Sequence, residues 1–324
     1  MKAIVQERFG PPDTLQLEDI DVPQPGPDDM LVRVQAAALN PYDWHMLRGD
    51  PRIARLMGTG LTRPKFRVAG AEGAGRVETV GANIQGLRPG DEVLGFFRGS
   101  FAEYALAGAD KVVPKPASLT FEEAAAVPMA ATTALRAIRD VGEVRSGQRV
   151  LVNGASGGVG TFAVQIAAAL GAEVTGVSSA GNAEMLRSIG SAHVVDYAAQ
   201  DFTDGPERYD VILDNIGNRP LSRLRHALTP TGILVLNGGG SPGKVIGAVG
   251  SLLKAVVVNP FVRERIRLVP TRMKQEDLLA VTALIEAGKL RPVLDRTYPL
   301  AETAEGLQRV EAGHVPGKVV IVLA

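Results

Sequence analysis

Residues 149–170 read "RVLVNGASGGVGTFAVQIAAAL", and this stretch decides the fold. Its opening, 149–153, is a short apolar run of strand type. Four of the next seven residues are glycine, at 154, 157, 158 and 160. A helix is predicted over 161–170. Strand, glycine-rich turn and helix in immediate succession open a βαβ unit. The glycines clear side chains from the turn so that backbone N–H groups can approach a pyrophosphate. The helix behind presents its positive N-terminus to that charge. A tight structural turn is the alternative; the flanking elements favour a dinucleotide. The G-x-G-x-x-G spacing is not met as written, because Ala155 holds the first glycine position before Gly157 and Gly160.

Outward from that turn the rhythm continues. Strand "EVTGVSS" (173–179) is followed by helix "NAEMLRSIG" (182–190) and strand "HVVDY" (193–197). Strand "YDVILD" (209–214), helix "PLSRLRHAL" (220–228) and strand "GILVLN" (232–237) come next. The strands are continuously apolar, as strands buried on both faces are, and the alternation predicts a doubly wound parallel sheet. Upstream, "SLTFEEAAAVPMAATTALRAI" (118–138) reads as helix, capped by Ser118 or Thr120 with Glu122 and Glu123 in its first turn.

Before residue 120 the chain changes character. "KAIV" (2–5), "MLVRVQAAAL" (30–39), "GAGRVETVG" (73–81), "DEVLGF" (91–96), "FAEYALA" (101–107) and "KVVPKP" (111–116) are short strand-like runs broken by Pro and Gly. Such spacing predicts a β-barrel-like domain. The tail, from "LRPVLDRTYPL" (290–300) to "GKVVIVLA" (317–324), returns to short strands and is expected to rejoin that domain.

Composition narrows the classes of function. Lys plus Arg balances Asp plus Glu, 35 against 35, so no bulk field recruits nucleic acid or an anionic membrane. The chain has no cysteine, which removes disulfides, thiolate metal sites and a Cys nucleophile together. The most apolar late stretch, 245–258, is interrupted by Lys254 and is short for a membrane span. A cytoplasmic protein is expected.

The cofactor reading turns on the second strand of the βαβ unit. In NAD binders that strand ends in Asp or Glu, which takes the ribose 2′-OH. Here it ends "GVSSAGN" (176–182), with no carboxylate. Ser178 and Ser179 leave room for a 2′-phosphate and can donate to it, so NADPH is expected; a helix-capping role for the serines is the alternative.

These residues together resemble the zinc-free medium-chain dehydrogenases/reductases of the quinone oxidoreductase and enone reductase branch. The likeness runs over essentially the whole chain. It rests on "ALNPYDWHMLRG" (38–49), "AGAEGAGRVETVG" (69–81), "RPGDEVLGF" (88–96), "SFAEYA" (100–105), "AAAVPMAATTAL" (124–135), the glycine-rich turn, "SIGSAHVVDY" (188–197), "DVILDNIGN" (210–218) and "GKVVIVL" (317–323). The resemblance implies an α/β chain with a GroES-like β-barrel catalytic domain over 1–121 and 272–324. A Rossmann dinucleotide-binding domain over 122–271 and a cleft between the two complete the expected architecture. In zinc-dependent relatives a Cys stands where Asn40 stands here, and a His where Ala71 precedes Glu72; the cysteine-rich lobe between "DEVLG" and "FAEY" is missing too. A catalytic zinc is therefore not expected. His45, Glu72 and Asp43 read as an ordinary hydrogen-bonded cluster rather than a metal site.

The resemblance also assigns roles. Asn40 is placed beside the nicotinamide ribose, with an amide able to donate to a substrate carbonyl. Tyr42 is the expected proton or hydrogen-bond donor, and His45 a relay histidine. Thr133 reaches the nicotinamide side. Gly154, Ala155, Ser156, Gly157, Gly158 and Val159 hold the pyrophosphate. Ser178, Ser179, Asn182 and Tyr197 surround the 2′-phosphate, with Asn182 replacing a lysine often found there, and Asn215 faces the cofactor from the end of the fourth strand. Trp44, Phe96, Met129 and Phe261 are candidate walls for a flat apolar substrate, while His193, His226 and His314 look structural. The implied activity is NADPH-dependent, zinc-independent reduction of quinones or α,β-unsaturated carbonyls. An alcohol dehydrogenase using Tyr42 and His45 in place of zinc stays open, as does a cofactor-binding protein with a partner- or nucleic-acid-binding role. The apolar segment 250–262 and the strand "RIRLVP" (265–270) suggest a homodimer joined through the Rossmann domains, with a substrate lid as the alternative for 250–262.

Overall fold

The computed structural model describes residues 1–50, 60, 62–238, 262–270 and 272–323. Phe261 and all of 250–262 except its last residue therefore lie outside the described residues. The chain divides into two compact units. One comprises Met1–Met129, Met273–Ala287 and Pro292–Ala324; the other comprises Ala130–Arg272 and Gly288–Arg291.

The first unit carries a two-stranded ribbon, β1 (Lys2–Val5) with β2 (Gln16–Asp19). Its main sheet joins β3 (Asp29–Leu39), β4 (Glu72–Val80), β5 (Glu92–Phe96), β6 (Tyr104–Gly108), β7 (Val112–Pro114), β14 (Leu294–Pro299) and β15 (Lys318–Val322). The order is β14-β15-β3-β4-β5-β7, with β6 also pairing β3. The returning C-terminal strand β15 thus lies antiparallel against β3. Register shifts along β3 and β4, as at a bulge, bend the sheet around its core of Met30, Val32, Trp44, Phe97, Phe101 and Ile321. Gly75 lets the strands close in, since a Cβ there would sit 2.2 Å from the Arg33 carbonyl oxygen.

Three further elements matter for the site. Helix α1 (Pro41–Arg48) has Asn40 as its cap, in a capping box with Asp43, and stops at Gly49, whose φ of 59° suits glycine. The helix expected over 118–138 arrives in pieces: α2 (Phe121–Ala125), capped by Thr120 and Glu123, then α3 (Pro128–Leu135), then a π-helical turn (Arg136–Val141). Pro128 explains the break, since it has no N–H to continue α2 and opens a new first turn instead.

The second unit is a six-stranded, all-parallel sheet. Its strands are β8 (Arg149–Asn153), β9 (Glu173–Ser178), β10 (His193–Asp196), β11 (Tyr209–Asp214), β12 (Leu228–Leu236) and β13 (Arg265–Leu268). The order β10-β9-β8-β11-β12-β13 reverses direction between β8 and β11, so the carboxyl ends of those two strands form the topological switch point. Val150, Leu151, Val152, Val211, Ile212 and Leu213 are fully buried, which accounts for their unbroken apolar sequence. Helix α4 (Gly158–Ala169) starts three residues before the predicted 161, because the chain turns into it directly at Gly157. Among the described residues, strands β10 and β13 lie at the two edges of this sheet. Among the described residues, no helix is long and apolar enough to cross a membrane.

Candidate functional site

At the switch point of the second unit, Gly154 takes a φ of 76°, a conformation only glycine adopts without strain. A Cβ on Gly160 would fall 2.1 Å from the Gly154 carbonyl oxygen and 2.7 Å from Ala155, so Gly160 is needed for helix α4 to pack on the turn. Gly157 is different. A Cβ there would meet nothing nearer than 3.6 Å, and its φ of −77° suits any residue. The protein itself does not require glycine at 157; a ligand pressed against the backbone would. Gly157 caps α4 with no side-chain hydrogen bond, and Ser156 to Val159 are half-buried. The first N–H groups of a twelve-residue helix thus face a cradle that a side chain would fill. These residues fit a nicotinamide dinucleotide's pyrophosphate.

Around the neighbouring strand end, Ser178 is buried and its hydroxyl donates to the Ser179 carbonyl at 3.0 Å. The Ser179 hydroxyl accepts from the Asn182 amide at 3.2 Å, which leaves its own proton to give. Ser179, rather than Ser178, is therefore the serine placed to donate outward. Tyr197 is exposed and its N–H bonds the Ser178 carbonyl at 3.1 Å, so the four predicted residues do come together. Asn215 follows β11, donating to the Asn153 carbonyl at 3.2 Å and accepting from Asn237 at 2.7 Å. Beneath it, buried Asp214 accepts the Asn153 amide and the N–H groups of Ile216 and Gly217, which fixes this turn. Thr133 lies half-buried on α3.

In the first unit a cavity of about 450 Å³ is walled by Met46, Val68, Phe96 and Phe97, with Tyr42 and Asp43 among its polar groups. Of the candidate walls, Phe96 lines it, whereas Trp44 packs in the barrel core. Both Tyr42 and Asp43 sit on the first turn of α1. Burial, with a smaller push from the Asp43 charge, raises the Tyr42 phenol above its usual range, so it stays protonated and can donate. His45 stacks on Trp44 with ring centroids 3.6 Å apart, and its Nδ1 lies 3.1 Å from the Asp50 carbonyl. Burial lowers its pKa below the usual histidine value.

Next to Tyr42 the structure assembles a buried polar cluster. The Asn40 amide donates to Glu72 Oε1 at 2.7 Å and to the Ala38 carbonyl at 3.3 Å, and its Oδ1 accepts from the Lys318 ammonium. Lys318 also donates to Glu72 Oε1 at 3.0 Å and to the Leu39 carbonyl at 3.1 Å. Glu72 Oε2 accepts the Met129 N–H, so Met129 serves here through its backbone. Asp43 Oδ2 accepts the Asn40 backbone N–H at 2.8 Å. With both amide hydrogens turned inward, Asn40 holds the start of α1 instead of offering a donor to substrate. Burial pushes the Asp43 carboxyl up to about 7; the Asn40 N–H opposes this, the Glu72 charge adds to it and the Lys318 charge again opposes it.

The sequence reading did not single out Lys318, and it weighed Asp43 only as a metal ligand. The available signal was a lysine opening the otherwise apolar "KVVIV" of β15. Among the described residues, no group of three or more His, Cys, Asp or Glu side chains is placed to hold a metal ion.

Residues 26–117 match the alcohol dehydrogenase GroES-like domain family, and residues 189–321 the zinc-binding dehydrogenase family. The chain is 32% identical to the chloroplastic NADPH-dependent alkenal/one oxidoreductase of Arabidopsis thaliana, over 99% of this chain and 79% of that protein. The structure of the quinone oxidoreductase from Coxiella burnetii superposes with a TM-score of 0.86 at 29% identity, covering 100% of this chain and 99% of that one. An NAD-dependent alcohol dehydrogenase superposes with a TM-score of 0.84, also at 29% identity and with full coverage of both chains.

Proposed function

Because the chain belongs to the medium-chain dehydrogenase/reductase family, in its quinone oxidoreductase and enone reductase branch, we propose that it is an NADPH-dependent, zinc-independent reductase of quinones or α,β-unsaturated carbonyls. It is an oxidoreductase that uses a nicotinamide cofactor, and that cofactor supplies the hydride when bound. The choice of conjugated acceptor rests on one observation above all: the apolar cavity of the first unit carries a protonated phenol and a carboxyl, Tyr42 and Asp43. Hydride addition to a plain ketone builds a strongly basic alkoxide, which calls for a Lewis acid. Addition to an enone or quinone builds an enolate or phenolate, whose charge is spread and needs only hydrogen-bond donors. Asn40 and Ala71 at the positions of a zinc ligand pair support the metal-free reading.

NADPH is favoured by the Ser179 and Asn182 donors and by the lack of a carboxylate in 176–182. The cradle at Gly157 receives the pyrophosphate, and Tyr42 hydrogen-bonds the acceptor oxygen. A homodimer is proposed through strand β13, whose outer side has no partner strand among the described residues and could pair with a second copy.

A panel of 1,4-benzoquinone, cyclohexenone and a simple secondary alcohol, each assayed with both cofactors, tests the reading. Turnover of the first two with NADPH is expected. Oxidation of the alcohol alone, or one tightly bound zinc per chain required for turnover, would overturn it. Light scattering is expected to give twice the 34.1 kDa chain mass, and a monomer would remove the dimer.

A further inference from the structure

We propose that Asp43 is the proton donor for enone reduction, its carboxylic acid protonating the α-carbon of the enolate left by hydride addition. The proposal rests on the reductase reading above. Asp43 lines the apolar cavity beside Tyr42 and is buried on the first turn of α1. Its Oδ2 is fixed by the Asn40 backbone N–H at 2.8 Å, a bond that needs only a lone pair and survives protonation of the other oxygen.

The charged groups facing it come from two other elements, Glu72 on β4 and Lys318 on β15; Tyr42 shares its own helix. Glu72 is tied to Lys318, the Asn40 amide and the Met129 N–H. One ammonium thus stands against two carboxyls in a low-dielectric space, and holding a proton on Asp43 balances the charge. Burial is the larger cause of its rise to about 7, and the Glu72 charge adds to it. The Tyr42 phenol moves the other way from neutrality, above its usual range. General acids work best when their pKa lies near the working pH, so the carboxyl suits proton delivery and the phenol suits hydrogen-bond donation.

In the step, hydride from the reduced nicotinamide forms a C–H bond at the β-carbon and the C=C π pair moves to the α-carbon and carbonyl oxygen. The Asp43 O–H bond then breaks and a C–H bond forms at the α-carbon. The carboxylate regains its proton from water, so that one enone, one hydride and one proton give one ketone. A quinone has no such need, because hydride addition leaves a hydroquinone anion whose oxygen takes a proton directly from water.

Asp43→Asn keeps an oxygen for the Asn40 N–H and removes the proton. We expect kcat for cyclohexenone to fall about 100-fold or more, and by a much larger factor than kcat for 1,4-benzoquinone. Wild-type enone turnover should fall above about pH 7 and that limb should vanish in the variant. Asp43→Glu, which keeps an acid, should recover part of the enone rate. In the cofactor-free protein, the infrared band of a protonated carboxyl should be present in wild type and lost in Asp43→Asn. An equal loss of both activities would assign Asp43 a purely capping role and overturn the proposal, as would an unchanged enone rate or a missing band. A wild-type protein that reduces neither acceptor would instead show the reductase reading to be at fault.

Discussion

Lys318→Met removes the one cation that faces Glu72 among the described residues, and the structure sets the size of the effect. The Lys318 side chain is 4% exposed and that of Glu72 0%, with the Nζ 3.0 Å from Oε1. Without the ammonium, Glu72 keeps only the Asn40 and Met129 N–H donors for a fully buried charge. Removing one partner of a buried pair costs about 3–5 kcal/mol. A unit of this size loses about 2–4 °C of Tm per kcal/mol, so the first unit should melt between about 6 and 20 °C lower. Circular dichroism during thermal unfolding measures this. Glu72→Gln combined with Lys318→Met removes both charges of the pair and should recover stability over the single variant. A single variant within about 1 kcal/mol of wild type would refute the reasoning.

Other outcomes follow from single contacts. Ser179→Asp should shift preference from NADPH to NADH, measured as the ratio of kcat/KM values, since a carboxylate repels the 2′-phosphate and accepts from a 2′-OH. Gly157→Ala should keep the wild-type Tm yet weaken NADPH binding by about tenfold, read by nucleotide fluorescence, whereas Gly160→Ala should destabilise the fold because its Cβ would meet the Gly154 carbonyl. Asp43, pushed up to about 7, holds a proton in the folded chain that the unfolded chain releases above about 3.9. Stability should therefore fall as pH rises from about 4 to 7, at no more than about 1.4 kcal/mol per pH unit, and Asp43→Asn should remove that slope in urea titrations.

The parts of this molecule that were legible in sequence are those set by local chemistry. Apolar runs at the centres of β8 and β11 and in the second half of β12 marked those strands, because strands buried on both faces leave little room for polar side chains. Glycines at 154, 157, 158 and 160 marked the turn, and Thr120 with Glu123 marked a helix start. The break at Pro128 was legible too, yet the Ala-rich sequence on both sides argued for one helix. What was not legible is the polar cluster. Glu72 and Lys318 are 246 residues apart and meet only because β15 pairs β3 and β3 pairs β4. No spacing rule carries that register. Likewise, which of Ser178 and Ser179 points outward depends on one hydroxyl bonding the next carbonyl, a choice of rotamer that composition does not record.

The cluster links fold to function through charge balance. On the metal-free reading proposed above, no metal dication balances Glu72 and Asp43, and the positive charge comes from a side chain. Lys318 supplies one unit of it, through three acceptors that also lock Asn40 and the start of α1. Glu72 consumes that unit. The remaining carboxyl, Asp43, cannot share the same ammonium on equal terms, and in its buried, low-dielectric setting the lower-energy state is the protonated one. The same arithmetic that stabilises the barrel end therefore leaves an acid beside Tyr42, on the wall of the apolar cavity. A positive charge added close to the cluster should undo it. Ala71, which lines the cavity next to Glu72, is the place to add one. Ala71→Lys is expected to draw the Asp43 pKa back toward the ordinary carboxylate range, which would move the enone pH limb to lower pH. A limb that stays near neutral pH in that variant would show that burial alone, and not the balance among Glu72, Lys318 and Asp43, holds the proton.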